Sequence, residues 1–280
     1  MAFSAEISRY QPGCIFFLVD QSTSMNLPFG SNGTSRAQRL TQAINRLLQE
    51  LVMRCTKSQD EGVRPYFDVG VFGYGSEAFG PLLGGTLAGR PLVSVREVAE
   101  HPLRLESTKQ EVPDGNGGTM TTEVRFPIWF ELDALGKTPM CAALQEAHAI
   151  LQPWVAAHAT SLPPLIFNIT DGEATDGDPQ EAAQRLRELS TEDGSALLFN
   201  VHITSSEDPG VLYPARPGHL PDDFARQLFE MSSVLPTSFQ ERFNEEGYDL
   251  SPDARAFVFN ANVENVIQCI DIGTRLKMQR

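Results

Sequence analysis

Short apolar runs punctuate this chain at nearly regular intervals. Residues 14–19 (Cys-Ile-Phe-Phe-Leu-Val), 165–169, 196–203 and 256–260 are almost uninterrupted, and residues 66–72 alternate bulky with small side chains. Runs of this length without a polar face are the pattern of strands covered on both sides of a parallel sheet. Between them the period changes. Ala37, Leu40, Ile44, Leu47, Leu48 and Leu51 recur three and four residues apart, the spacing of one helical stripe. Ser35 with Gln38 three residues on predicts a capping box at its start. Residues 140–152, 179–189, 222–232 and 264–276 read as helices in the same way, with Asp178 as an expected N-cap, Pro179 at the first helical position and Pro221 opening the next helix.

This alternation predicts an α/β fold, a doubly wound and mostly parallel sheet flanked by helices. Residues 80–136 break the rhythm. Gly84-Gly85, Gly89-Arg90-Pro91, Pro113-Asp114-Gly115 and Gly117-Gly118 mark turns there. The stretch is expected to be an elaborated insertion with some β structure, so residues 1–280 read as one domain carrying it. Inside it Phe126, Ile128, Trp129 and Phe130 cluster. Local packing is the favoured reading of that cluster, and a partner-facing patch is the other.

The candidate chemistry lies where strands end. The first run stops in Asp20-Gln21-Ser22-Thr23-Ser24, and residues 165–169 run into Thr170-Asp171-Gly172-Glu173. In a doubly wound sheet both junctions fall on the edge where such sheets bind ligands. A third loop, Gly136-Lys137-Thr138-Pro139-Met140, opens a helix between them. Carboxylate and hydroxyl oxygens are hard donors, suited to Mg²⁺, with Mn²⁺ or Ca²⁺ as alternatives. Taken singly, Ser22 and Ser24 are more often turn hydroxyls and Asp171-Gly172 more often a turn. Asp20, Thr138 and Asp171 together reverse that weighting for the two serines, and the position of Asp171 after a five-residue apolar strand tilts it for Asp171-Gly172.

The Asp-x-Ser-x-Ser segment, the Gly-x-Thr-Pro-Met loop and the Thr-Asp-Gly strand end, in that order, resemble a von Willebrand factor A domain, and more narrowly its intracellular bacterial members of the tellurite-resistance TerY type. The resemblance implies a Rossmann-like fold with a metal-ion-dependent adhesion site built from Asp20, Ser22, Ser24, Thr138 and Asp171. It also implies a protein partner whose acidic residue completes the ion's coordination. A role as adaptor or scaffold in stress response or phosphorylation-linked signalling follows, with kinases, phosphatases or ATPases as partners. The chain departs from the family pattern at Lys137, where Gly is usual.

Charge and composition narrow the classes further. The formal net charge of −14 disfavours nucleic acid and anionic membranes as partners. The first ten residues lack a basic segment followed by an apolar one, and no apolar stretch is long enough to span a bilayer. Cys14, Cys55, Cys141 and Cys269 show no paired spacing, so a reducing cytoplasm is the expected compartment. The five histidines have no metal or catalytic spacing. Glu173, Asp176 and Asp178 read as a solvated loop and helix cap. A non-enzymatic binding module is therefore expected. The alternative is a Mg²⁺-dependent phosphohydrolase of haloacid dehalogenase type with Asp20 as nucleophile. That chemistry needs a second acid two residues on, where this chain has Ser22. A receiver-like domain phosphorylated on Asp20 is a third reading, but it places its acceptor after a later strand.

Overall fold

The computed structural model describes residues 3–29, 33–57, 62–75, 79–113, 119–203, 210–218 and 220–260. The expected helix at 264–276, the turn at 114–118, Cys269 and His219 lie outside them. In chain order the elements are β1 (Gly13–Asp20), a 3₁₀ turn (Thr23–Asn26), α1 (Arg36–Cys55), β2 (Phe67–Tyr74), β3 (Phe79–Pro81), a second 3₁₀ turn (Gly85–Leu87), β4 (Val93–Ser94) and α2 (Val95–Glu100). There follow β5 (Arg104–Pro113), β6 (Thr119–Ile128), α3 (Met140–Ala157), β7 (Leu165–Thr170), α4 (Gln180–Glu188), β8 (Ser190–Thr191), β9 (Gly194–Ser195) and β10 (Leu197–His202). The last are β11 (Val211–Leu212), α5 (Asp223–Met231), α6 (Thr237–Glu245) and β12 (Phe257–Phe259).

The fold is α/β. A mixed sheet runs in the order β11-β12-β10-β7-β1-β2-β3, with β4 also pairing to β2. Its central strands β12, β10, β7, β1 and β2 are parallel, and β11, β3 and β4 pair antiparallel at the margins. The chain passes from β1 to β2 on one side, then returns to β7 on the other. Every residue of β1 is buried. Alternate side chains split between two cores: Ile15, Phe17 and Val19 pack with α1, α2 and α6, and Cys14, Phe16 and Leu18 pack with α3, α4 and α5. A fully buried Leu or Phe side chain contributes about 1.5–3 kcal/mol, so β1 is held from both faces.

The capping box at Ser35 and Gln38 forms. In α4 the cap sits one residue later than expected, at Pro179, while the Asp178 carboxylate still accepts from Gln180 N at 3.0 Å. Helix α3 continues through Pro153 rather than stopping at 152. An interior proline costs about 3 kcal/mol, and burial of Trp154 and Val155 offsets it, with Trp154 Nε1 donating to Asp68 Oδ2 at 2.8 Å.

Residues 80–136 contribute β3, β4 and α2 alongside β2 and α1, and then a separate two-stranded sheet of β5 and β6. Trp129 is buried, with its indole N–H donating to Val98 O at 2.6 Å, and its backbone N–H donates to Asn45 Oδ1 at 2.8 Å. Local packing therefore accounts for Trp129. Helices α2 and α6 were not expected; α2 carries its own capping box, Ser94 with Glu97.

Beneath the C-terminal edge of the sheet a buried polar chain links side chains of β2, β7 and β10 across the intervening β1. Tyr74 Oη donates to Asn168 Oδ1 at 2.7 Å, Asn168 Nδ2 to Asn200 Oδ1 at 2.9 Å, and Asn200 Nδ2 to Ser232 Oγ at 3.0 Å. Each unmet buried partner costs about 1–3 kcal/mol. Asn168→Ala, which orphans groups on both sides, is expected to lower unfolding free energy by about 2–4 kcal/mol in urea titration. A loss under about 0.5 kcal/mol would mean that water replaces the amide.

Candidate functional site

Asp20 is the last residue of β1 and has 0% exposure. Its Oδ1 accepts from Ser22 N at 2.7 Å and its Oδ2 from Thr170 Oγ1 at 2.6 Å. Burial pushes its carboxyl from an ordinary 3.8 up to about 6, against the downward pull of bonds from Thr170 and Ser22. Asp171 follows β7, and its side chain is fully covered. Its Oδ1 accepts from Ser24 Oγ at 2.6 Å, and Ser24 Oγ lies 2.9 Å from Ser22 Oγ. Thr138 is buried. A methyl group placed on Gly172 would sit 3.5 Å from Thr138 Oγ1 and 3.9 Å from Ser24 Oγ. The structure thus brings Asp20, Ser22, Ser24, Thr138 and Asp171 into one neighbourhood at the ends of β1 and β7.

The loops are stapled to each other by groups outside that set. Thr23 N donates to Gly136 O at 3.0 Å, and Gly136 N donates back to Thr23 Oγ1 at 2.9 Å. Leu135 N donates to Gln21 O at 2.7 Å and Asn26 Nδ2 to Ala134 O at 2.6 Å. Thr138 N donates to Thr175 Oγ1 at 3.1 Å, while Thr175 N donates to Thr138 O at 2.9 Å. Gly75 leaves no room for a side chain, since a Cβ there would meet Gln21 O and Leu135 O at 3.0 Å each. Gly136 turns with φ at +91°, which glycine adopts without strain. Lys137 is exposed while Thr138 beside it is buried.

Three participants were not foreseen. Arg36, the first residue of α1, is buried and pairs through Nη1 with Asp171 Oδ2. A charged residue beside a cap ordinarily reads as solvated, and its partner lies 135 positions away. Thr170 supports Asp20, and its place one residue before Asp171 was the available signal. Asp176, read as a solvated acid, accepts from Cys141 N at 3.1 Å and Ala142 N at 2.9 Å, completing the N-terminus of α3. Among the described residues no group of three or more His, Cys, Asp and Glu gathers as a metal set. The donors here are two carboxylates and three hydroxyls, hard oxygens that fit a cation such as Mg²⁺, and Asp20 is a buried anion that a cation would neutralise.

No protein family matches the chain, and no curated protein matches it. Among solved structures it is similar to the pilus adhesin SpaC from Lactobacillus rhamnosus GG, with 14% identity over 95% of this chain and 31% of that one, at a TM-score of 0.46. It is also similar to the pilus adhesin RrgA from Streptococcus pneumoniae, with 16% identity over 59% of this chain and 21% of that one, at 0.29. The chain spans less than a third of either adhesin's length, and likenesses at these scores carry no argument about its function. The expected membership among von Willebrand factor A domains of the TerY type is corrected: the structural neighbours are pilus adhesins, and no family match supports the assignment. The resemblance rested on three short segments of hydroxyls and acids at strand ends, and such chemistry does not by itself define a family. The stress-response and kinase, phosphatase or ATPase expectations rested on it alone. Among the described residues no helix is long and apolar enough to cross a membrane, and Cys14, Cys55 and Cys141 are free and buried.

His202, at the end of β10, lies within electrostatic reach of the cluster. It stacks on Phe259 at 5.1 Å and meets Phe224 edge-on at 5.3 Å. Burial lowers its pKa from 6.5 to about 4, with Asp222 and Asp171 pulling it up and Arg36 pushing it down. The two shifted groups act oppositely on stability. Neutral His202 makes the fold more stable as pH rises from about 4 to 6.5, because the unfolded chain binds the extra proton. Asp20 makes it less stable as pH rises from 3.8 to about 6, because there the folded chain holds the proton. Each effect is about 3 kcal/mol, so they largely cancel. In EDTA, His202→Phe is expected to gain about 3 kcal/mol relative to wild type as pH falls from 6.5 to 4, and Asp20→Asn a similar amount as pH rises from 4 to 6. Parallel stability–pH curves for all three proteins would refute both assignments.

Proposed function

We propose that this chain is a non-enzymatic protein-binding module whose contact point is a divalent cation, Mg²⁺ by donor chemistry, held by Asp20, Ser22, Ser24, Thr138 and Asp171. The observation that carries the reading is the convergence of three separate loops on one cluster, with Ser24 Oγ bonded at 2.6 Å to Asp171 Oδ1 and at 2.9 Å to Ser22 Oγ. The finer reading of the sheet as doubly wound supports it. β1 starts in the middle, the chain turns first to β2 and then back to β7, and a crevice outside such a reversal is where open α/β sheets bind ligands. Two carboxylates balance a divalent ion without saturating an octahedral shell. A position is left for an outside oxygen, and a partner's Asp or Glu carboxylate is the ligand of matching charge. Leu27 and Leu135, 52% and 56% exposed beside the first and third of these loops, offer apolar contact near it.

Ser22 stands where phosphoryl transfer through Asp20 needs its second acid, and a hydroxyl does not exchange protons near neutral pH as a carboxyl does. Binding rather than turnover is the function proposed. An ion bound only by the folded state stabilises it by about 2.7 kcal/mol at a hundred times its dissociation constant. Adding Mg²⁺ after EDTA treatment is expected to raise the melting temperature of wild type by several degrees. Asp20→Asn and Ser24→Ala should lose most of that rise. On Mn²⁺-loaded protein, N-acetylglutamate amide should displace metal-bound water, read as a fall in water-proton relaxation. Equal melting shifts in all proteins would refute the site, and unchanged relaxation would refute the carboxylate ligand.

A further inference from the structure

Asp171 is engaged on both oxygens from within the protein. Oδ1 accepts from Ser24 Oγ at 2.6 Å, and Oδ2 accepts from Arg36 Nη1 in an ion pair whose side chains are 0% and 7% exposed. A pair so sheltered is little screened by salt. We propose that Arg36 is a built-in competitor for the cation site: its guanidinium holds Asp171 in a closed, metal-free arrangement, and a divalent ion binds by displacing it. This inference rests on the metal-binding reading above.

Charge balance is the reason. Asp20 and Asp171 carry two negative charges between them. One divalent ion balances both, whereas one guanidinium balances one. With ion and guanidinium both against the two carboxylates, these four groups together would carry a net positive charge. Like charges a few ångströms apart in a low-dielectric setting repel strongly, so each arrangement weighs against the other. Arg36 Nη1 holds Asp171 Oδ2 while Ser24 Oγ holds Oδ1.

Main-chain contacts fix the place from which Arg36 reaches the site. Arg36 N donates to Leu27 O at 3.1 Å, Pro28 bridges to Ser35, and Phe29 N donates to Thr34 O at 2.9 Å. The backbone at the start of α1 is thus tied to the segment leaving the 3₁₀ turn that carries Ser24, and that segment bears exposed Leu27.

Calorimetric titration of the EDTA-treated full chain with Mg²⁺ and Mn²⁺ tests this. Arg36→Gln should bind either ion at least about tenfold more tightly than wild type, because the repelling charge is gone. Its metal-free form should melt lower and recover with Mg²⁺, since the buried Asp171 carboxylate is otherwise left without its cationic partner. Arg36→Lys, which keeps the charge, should stay within about threefold of wild type. If Arg36→Gln does not fold without metal, the Arg36 Nε–Hε resonance of wild type gives the second readout, and saturating Mg²⁺ should move it. Equal affinities in wild type and Arg36→Gln, or a resonance unmoved at saturation, overturn the competitor role and leave the metal site standing. Arg36→Lys binding as tightly as Arg36→Gln overturns the charge argument. No binding of either ion to wild type or any variant overturns the metal reading and this inference with it.

Discussion

A carboxylate buried at the end of a central strand is the constraint around which this edge of the molecule is organised. Asp20 cannot turn away, because β1 is hydrogen-bonded to β2 and β7 and covered on both faces. Removing a charge from water is costly unless hydrogen bonds or an opposite charge meet it. Ser22 N and Thr170 Oγ1 supply the bonds, and the carboxyl nevertheless remains harder to ionise than in water. The stability lost by keeping it ionised at neutral pH is the energy a bound cation could recover.

The surrounding loops hold their geometry through contacts that have no part in the proposed ligand set. Thr23 clasps Gly136, Thr175 clasps Thr138, and Asp176 finishes the first turn of α3. Loops fixed in this way lose little freedom when a ligand binds. Below them the Tyr74, Asn168, Asn200 and Ser232 chain keeps the strand ends in register with one another. Asp171 and Arg36 act on His202 in opposite directions, which makes this edge of the sheet a balance of charges as well as a packed core.

The central strands were legible because a strand buried on both faces must be apolar along its whole length. Helix α1 was legible because its stripe and capping box are both local. The strand-end acids and hydroxyls could be named as candidates from the same boundaries. Helix α2 was missed although Ser94 and Glu97 form a capping box, since the six-residue helix is too short to show a stripe. The extension of α3 past Pro153 was missed because the stabilising contacts of Trp154 are tertiary. The likeness to a known family failed for a related reason. Short polar motifs at strand ends answer to local geometry, and unrelated chains can meet the same geometry with the same few residue types.

The order of apolar and polar positions determined the α/β class, the buried strands and the loops on which Asp20, Thr138 and Asp171 would lie, because periodicity and capping are properties of neighbouring residues. Tertiary structure alone decided which charges meet. Arg36 reaches Asp171 across 135 positions and Thr170 reaches Asp20 across 150. Such pairings depend on the order of strands in the sheet, and no local spacing encodes that order.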